Sequence, residues 1–146
     1  NQSITPGFLI AALLWPEIIE KSLKKGELNL RKFFGCMDQI LKKQQNITAV
    51  PRKFHSYIKD IWILQLKLHS RIGKQPYKIL KHPRFRAAYD FLLLREKAAD
   101  DKESLGKWWT NFQKDDDSIK KSLIKELREN NIQESSKKFG FSAELR

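Results

Sequence analysis

The chain has 146 residues, of which 40% are apolar and 11% aromatic, enough for one domain with a buried core. Its formal net charge of +12 favours a polyanionic partner. The single cysteine, Cys36, excludes an internal disulfide, and the longest apolar run, residues 8–15, is too short to cross a bilayer, so we expect a cytoplasmic protein.

The first predicted helix begins at Thr5-Pro6, with Thr5 as N-cap and the proline at the first helical position. It should run to about Lys25, with a kink or boundary at Trp15 because Pro16 lacks a backbone donor. Gly26 is predicted to end the element as a residue just past the helix.

A second helix is predicted from Leu28 or Asn29 to Gln44. A third should start at Pro51, continue to about Ile72 and end at Gly73, which makes it the longest and most central helix. Trp62 lies on its apolar arc and is predicted to be a core residue rather than a base-stacking one.

Three further helices are predicted over 75–81, 84–98 and 102–113, and the acids at 115–117 should cap an amphipathic helix that ends near Asn130. Residues 133–146 lack periodicity and are expected to be mobile. The fold class is therefore all-α, an irregular bundle of about six or seven helices. Residues 1–113 should form a helical body, and 114–146 an amphipathic helix plus a mobile tail.

The positive charge is concentrated in the middle of the chain. Residues 1–50 hold 7 Lys or Arg and 4 Asp or Glu, residues 51–98 hold 12 and 3, and residues 99–146 hold 10 and 10. A charge that served only solubility would be spread evenly, so the central third is predicted to bind a polyanion.

Nine basic residues in this third have only Asp60 as an acidic neighbour in the sequence, and we predict that they contact phosphates: Arg52, Lys53, Lys59, Lys67, Arg71, Lys74, Lys78, Lys81 and Arg84. Lys120, Lys121 and Lys125 lie in a charge-balanced segment and are expected to matter less. Among the aromatic residues, one of Trp108 and Trp109 should be partly exposed, and Trp109 is the predicted stacking residue.

Other polar residues have structural explanations. Arg86 and Asp90 are four apart and should pair along one helix face. His55, His69 and His82 do not have the spacing of a zinc site, and His82 before Pro83 is typical of a turn.

An ordered series of motifs resembles the C-terminal region of bacterial poly(A) polymerase. It comprises residues 8–16, Val50-Pro51-Arg52-Lys53, residues 60–66, Gly73-Lys74, residues 82–90, Leu94-Arg95 and Lys107-Trp108-Trp109-Thr110-Asn111-Phe112-Gln113. The resemblance covers roughly three quarters of the chain. The residues after Gln113 depart from it, because they contain only two arginines where the family has a long arginine-rich extension.

The resemblance implies an enzyme of the nucleotidyltransferase superfamily that adds adenylates to RNA 3′ ends, with ATP and Mg²⁺ used by a catalytic head whose Asp-x-Asp pair holds the metal. Here the only such pair, Asp115 and Asp117, is predicted to cap a helix. We therefore expect no catalytic residue, metal site or cofactor in this chain, and no polymerase activity from it alone.

The expected partners are the 3′ region of single-stranded RNA and the head and neck of the same enzyme. Two alternatives remain open. The chain could be an interaction module for RNA-decay proteins, docking through its basic face or the helix at 118–130, or it could be the body of a CCA-adding relative.

Overall fold

The computed structural model describes residues 5–99 and 105–138, with side chains described up to residue 133. These residues form seven helices and one small hairpin, which confirms the all-α prediction. The elements are α1 (Pro6–Ser22), β1 (Leu23–Lys24), β2 (Glu27–Leu28), α2 (Leu30–Ile47), α3 (Lys53–Lys67), α4 (Gln75–Leu80), α5 (Phe85–Ala98), α6 (Leu105–Phe112) and α7 (Asp117–Lys138). Across these residues, no helix combines the length and apolar character that a membrane span requires.

Helix α1 starts as predicted, because the Thr5 side chain accepts a hydrogen bond of 3.2 Å from the backbone N–H of Phe8. Of the predicted kink or boundary at Trp15, the boundary is wrong, since the helix continues through Pro16 to Ser22. Ala11 and Ile18 are fully buried on either side of the proline. Packing of both halves therefore outweighs the backbone bond that proline removes, a cost of about 3 kcal/mol.

The segment around Gly26 is a hairpin rather than a simple helix end. Leu23 pairs with Leu28 in the antiparallel register of β1 and β2. Lys25 and Gly26 both have left-handed backbone angles, with φ of 54° and 81°. Two successive positive φ values are typical of the tight turn that closes a two-residue hairpin.

Helix α2 begins after Asn29, whose side chain accepts a hydrogen bond of 3.0 Å from the N–H of Lys32. It ends at Ile47, three residues beyond the predicted Gln44.

Helix α3 ends at Lys67 and is therefore shorter than predicted. Helix α7, with 22 residues, is longer than α3, so the prediction that α3 is the longest helix is wrong. The chain leaves the helical path next to Leu68, whose carbonyl accepts a hydrogen bond of 2.9 Å from the indole Nε1 of Trp109. It tightens instead into a turn, with a bond of 2.8 Å from Ser70 N to the Lys67 carbonyl.

Helix α7 is capped by Asp116, whose carboxylate accepts bonds of 2.9 Å from Ser118 N and 3.3 Å from Ile119 N. A capped start among the acids at 115–117 is thus confirmed, but the capping residue is Asp116 and not Asp115 or Asp117. The helix begins at Asp117 and extends to Lys138 rather than ending near Asn130. Residues 139–146 of the predicted mobile tail, and residues 102–104 of the predicted sixth helix, lie outside the described residues.

Two clusters of buried side chains share α3 and α5. The first joins α1, α2 and the start of α3 around Phe33, Ile58 and Trp62, with Phe91 from α5. The second joins the end of α3 to α4, α5 and α6 around Trp109 and Phe112. The sequence spacing of α5 predicts that Phe85, Ala88, Tyr89, Leu92 and Leu93 face inward; the first four are buried, but Leu93 is 37% exposed.

A buried glutamine connects α3 to α5. The Gln65 amide nitrogen donates bonds of 3.1 Å to the carbonyls of Ile61 and Ala88, and its oxygen accepts a bond of 3.1 Å from Nε of Arg95. These contacts satisfy a polar group that is 1% exposed. Helices α3 and α5 are therefore held in a fixed relation.

Candidate nucleic-acid interface

The short helix α4 has one buried and one basic side. Pro76 and Ile79 are buried, and Ile79 belongs to the second cluster. Lys74, Lys78 and Lys81 are exposed, and their spacing of four and three residues places them on one side of the helix axis. Helix α4 therefore presents three of the predicted cations to solvent together.

A second basic group forms where α3 and α5 begin. The Arg84 guanidinium lies 5.1 Å from the ring centre of Tyr57 on α3. Lys53 precedes Tyr57 by four residues, so it occupies the same face of α3, and Arg52 comes directly before it. Tertiary packing thus brings Arg84 to the first turns of α3, although the two are far apart in sequence.

The other predicted cations differ in exposure. Lys67 is exposed at the end of α3, whereas Arg71 is half-buried with its guanidinium 5.3 Å from the ring of Trp108. Burial lowers the pKa of the Arg71 guanidinium. Lys59 forms an ion pair with Asp38 of α2, so its charge is already partly neutralised.

Carboxylates are scarce around these residues. Of the nine predicted cations, only Lys59 forms an ion pair with a carboxylate within residues 5–99 and 105–133. Two of the three acids in the central third have other partners, since Asp90 pairs with Arg86 at 3.5 Å and Glu96 accepts bonds from the N–H of Gly106. The Arg86–Asp90 pair confirms the prediction for these two residues.

The prediction that Trp109 stacks on a base is wrong. Trp109 is 0% exposed, and its indole N–H is used by the Leu68 carbonyl. Trp108 is half-buried, which confirms that one of the two indoles is partly exposed, and it is stacked on Phe112 at 4.8 Å, with Arg71 over its ring. Both indoles belong to the second cluster, because helical neighbours a quarter-turn apart can both be covered when α4, α5 and α7 surround them.

The expectations for Trp62 and His82 have clear outcomes. Trp62 is a core residue as predicted, fully buried and donating a bond of 3.1 Å to the Ala11 carbonyl. The His82 ring accepts a bond of 3.0 Å from Arg84 N, which confirms the predicted turn. In the described segments, no cluster of three or more His, Cys, Asp or Glu side chains has the arrangement of a metal site.

Lys120 does not belong with the surface lysines of α7. It is 7% exposed, and its ammonium donates a bond of 2.7 Å to the Lys114 carbonyl. Lys121 and Lys125 are exposed as expected. Lys120 is therefore a structural residue, and substituting it would disturb the start of α7.

Sequence reasoning missed an open groove of about 520 Å³ between the end of α2 and the start of α3. Its polar lining comes from both helices: Asp38, Lys42, Gln45, Asn46, Arg52 and His55. Lys42 lies in the weakly charged first third, so a count of charge by segment could not associate it with Arg52. The periodicity of α2 could have placed Asp38, Lys42 and Gln45 on one face.

These features define a basic, mainly helical domain with an excess of positive charge in its central third. The family described as polymerase A arginine-rich C-terminus matches residues 25–139. The chain belongs to this family, which confirms the resemblance to the C-terminal region of bacterial poly(A) polymerase.

The chain is similar to poly(A) polymerase I from several bacteria. It is 36% identical to the Escherichia coli enzyme over 135 residues, which is 88% of this chain and 29% of that protein. It is 33% identical to the Salmonella typhi enzyme over 130 residues and 36% identical to the Haemophilus influenzae enzyme over 128 residues. It therefore spans less than a third of the length of these relatives.

Proposed function

We propose that this chain is the part of a poly(A) polymerase that holds single-stranded RNA near its 3′ end, in the cytoplasm. The observation that carries the proposal is the set of predicted cations in residues 51–98, of which only Lys59 is paired with a described carboxylate. A folded domain that needed charge only for solubility would have no reason to concentrate it here. The relatives that this chain matches are poly(A) polymerases, and this supports the same role.

The contacts are made to the RNA backbone. The lysines of α4 reach phosphates as point charges, and Arg52 and Arg84 offer planar guanidinium groups that match phosphate oxygens. Phosphate contacts position a strand without reading its sequence, so binding is tolerant of base composition. The buried connection of α3 to α5 through Gln65 holds the basic groups in place.

Nucleotidyl transfer belongs, in this proposal, to the catalytic head and neck of the whole enzyme, which would use ATP and Mg²⁺. The acids after α6 serve the fold, since Asp116 caps α7. The domain formed by this chain holds and orients the RNA, so that the RNA 3′ end stays near the catalytic head between successive nucleotide additions.

Binding of single-stranded RNA at increasing salt tests the proposal. About five phosphate contacts should give a slope of roughly −3 to −4 for the logarithm of affinity against the logarithm of salt concentration. Poly(A) and poly(U) should bind within about an order of magnitude of each other. An absence of RNA binding, or an affinity insensitive to salt, would contradict the proposal.

The alternative use of these surfaces is docking of RNA-decay proteins. It is favoured by apolar side chains exposed on α7, Ile119 and Ile132. A variant with reversed charges in residues 51–98 that still binds RNA normally would support this second function over the first.

A further inference from the structure

The groove between α2 and α3 combines the groups that a nucleotide requires. Lys42 and Arg52 line it from opposite helices, and His55 contributes an imidazole ring. Its volume of about 520 Å³ falls in the range of small-ligand sites, roughly 300–1,000 Å³. The groove is open along one side, so a ligand bound there can continue as a chain.

The charge of the groove is positive despite an acid in its wall. The Asp38 carboxylate is met by the ammonium of Lys59. Lys42 and Arg52 have no carboxylate partner in the described part of the chain and remain available to an anion. A phosphate entering the groove would therefore meet two cations and an acid whose charge is partly offset by Lys59.

His55 is held in a defined orientation. Its Nε2 lies 3.3 Å from Oε1 of Gln45, which connects the imidazole to the last turns of α2. The ring is half-buried, so it is supported by the fold while remaining at the edge of the groove. Histidine is one of the aromatic side chains on which unstacked RNA bases stack, and a ring fixed in advance loses less freedom on binding.

We propose that this groove binds one nucleotide of single-stranded RNA, with its base stacked on His55 and its phosphate held by Lys42 and Arg52. The inference rests on the proposed RNA-holding function and adds to it a stacking site where the buried Trp109 cannot provide one. Stacking accepts any base, so the groove raises affinity while leaving sequence preference weak.

Two probes separate base stacking from simple attraction of anions. Fluorescence anisotropy with a labelled A12 RNA reports on both, whereas competition by inorganic polyphosphate reports on charge alone. His55→Ala should weaken RNA binding about tenfold and leave polyphosphate binding unchanged. His55→Phe, which keeps an aromatic face, should restore most of the RNA affinity.

The control for the cations of the groove is another lysine of α2, the helix that carries Lys42. Lys42→Gln and Arg52→Gln should weaken the binding of both RNA and polyphosphate. Lys32 is an exposed lysine of α2 outside the groove, and Lys32→Gln should change the binding of both much less. Thermal unfolding followed by circular dichroism checks that each variant is folded, and His55→Phe provides the test if His55→Ala unfolds.

The outcomes distinguish this inference from the function on which it rests. Salt-dependent RNA binding that is unchanged in both His55 variants would overturn the stacking site and leave the RNA-holding function in place. Equal loss of RNA and polyphosphate binding in His55→Ala would also overturn it, because it would show a change in charge or fold. A chain that binds no RNA would overturn both proposals.

Discussion

Two buried tryptophans, Trp62 and Trp109, differ in how well the sequence predicts their positions. The sequence predicts the core position of Trp62 from its apolar neighbours, and its indole N–H is matched by the Ala11 carbonyl of α1. The same reasoning fails for Trp109, because adjacent residues on a helix seldom both face inward. Only the convergence of several helices on α6 covers both Trp108 and Trp109, and no local pattern encodes that convergence.

Trp62→Ala should lower the free energy of unfolding by about 3–5 kcal/mol, since it leaves a cavity at the contact of α1 and α3. Urea unfolding followed by circular dichroism measures the loss. A variant of unchanged stability with weakened RNA binding would show instead that Trp62 contacts RNA.

Two glycines form a matched pair for a second test. A Cβ at Gly106 would clash with the Glu96 carboxylate and with Leu93, whereas a Cβ at Gly35, inside α2, would meet no atom within 4 Å. Gly106→Ala should therefore destabilise the protein by about 1–3 kcal/mol. Gly35→Ala should stabilise it by about 0.4–1 kcal/mol by reducing the freedom of the unfolded chain. Equal effects in thermal unfolding would contradict the packing described for α6 against α5.

At the scale of elements, local signals predict where helices start better than where they end. Thr5, Asn29 and Asp116 each accept a backbone bond at the start of a helix, in agreement with their type and position. Just past the end of α3 an indole from α6 bonds to the backbone, and the continuation of α1 through Pro16 accompanies burial of both halves. Both are set by tertiary packing that overrides local preference.

Asp116→Ala should destabilise α7 by about 0.5–2 kcal/mol, because two N–H groups of its first turn lose their acceptor. Asp115→Ala is the control, since Asp115 is exposed and makes no cap, and it should stay within about 0.5 kcal/mol of the parent. Circular dichroism during urea unfolding compares the two. A larger effect at Asp115 would contradict the assignment of the cap.

At the scale of the whole molecule, charge counting along the chain identified the basic third but could not predict how its residues are arranged in space. Arg84 reaches Tyr57 and the start of α3 only through the packing of α5, and Lys42 joins Arg52 only across the groove. Sequence gave no signal that Lys59 would pair with Asp38, since the two residues lie on different helices. The segment of the sequence that holds the candidate site was thus predictable, but the surface that its residues form in the fold was not.

The measurement that tests the central claim most directly compares two charge reversals with the same spacing. One changes Lys74, Lys78 and Lys81 on α4 to Glu, and the other changes Lys121, Lys125 and Arg128 on α7 to Glu. All six residues are exposed, and both variants alter the net charge equally. If RNA follows the basic third, the α4 variant should bind single-stranded RNA at least about tenfold more weakly than the parent, and the α7 variant should change much less. Equal losses would show only an effect of net charge and would contradict an RNA-binding face in residues 51–98.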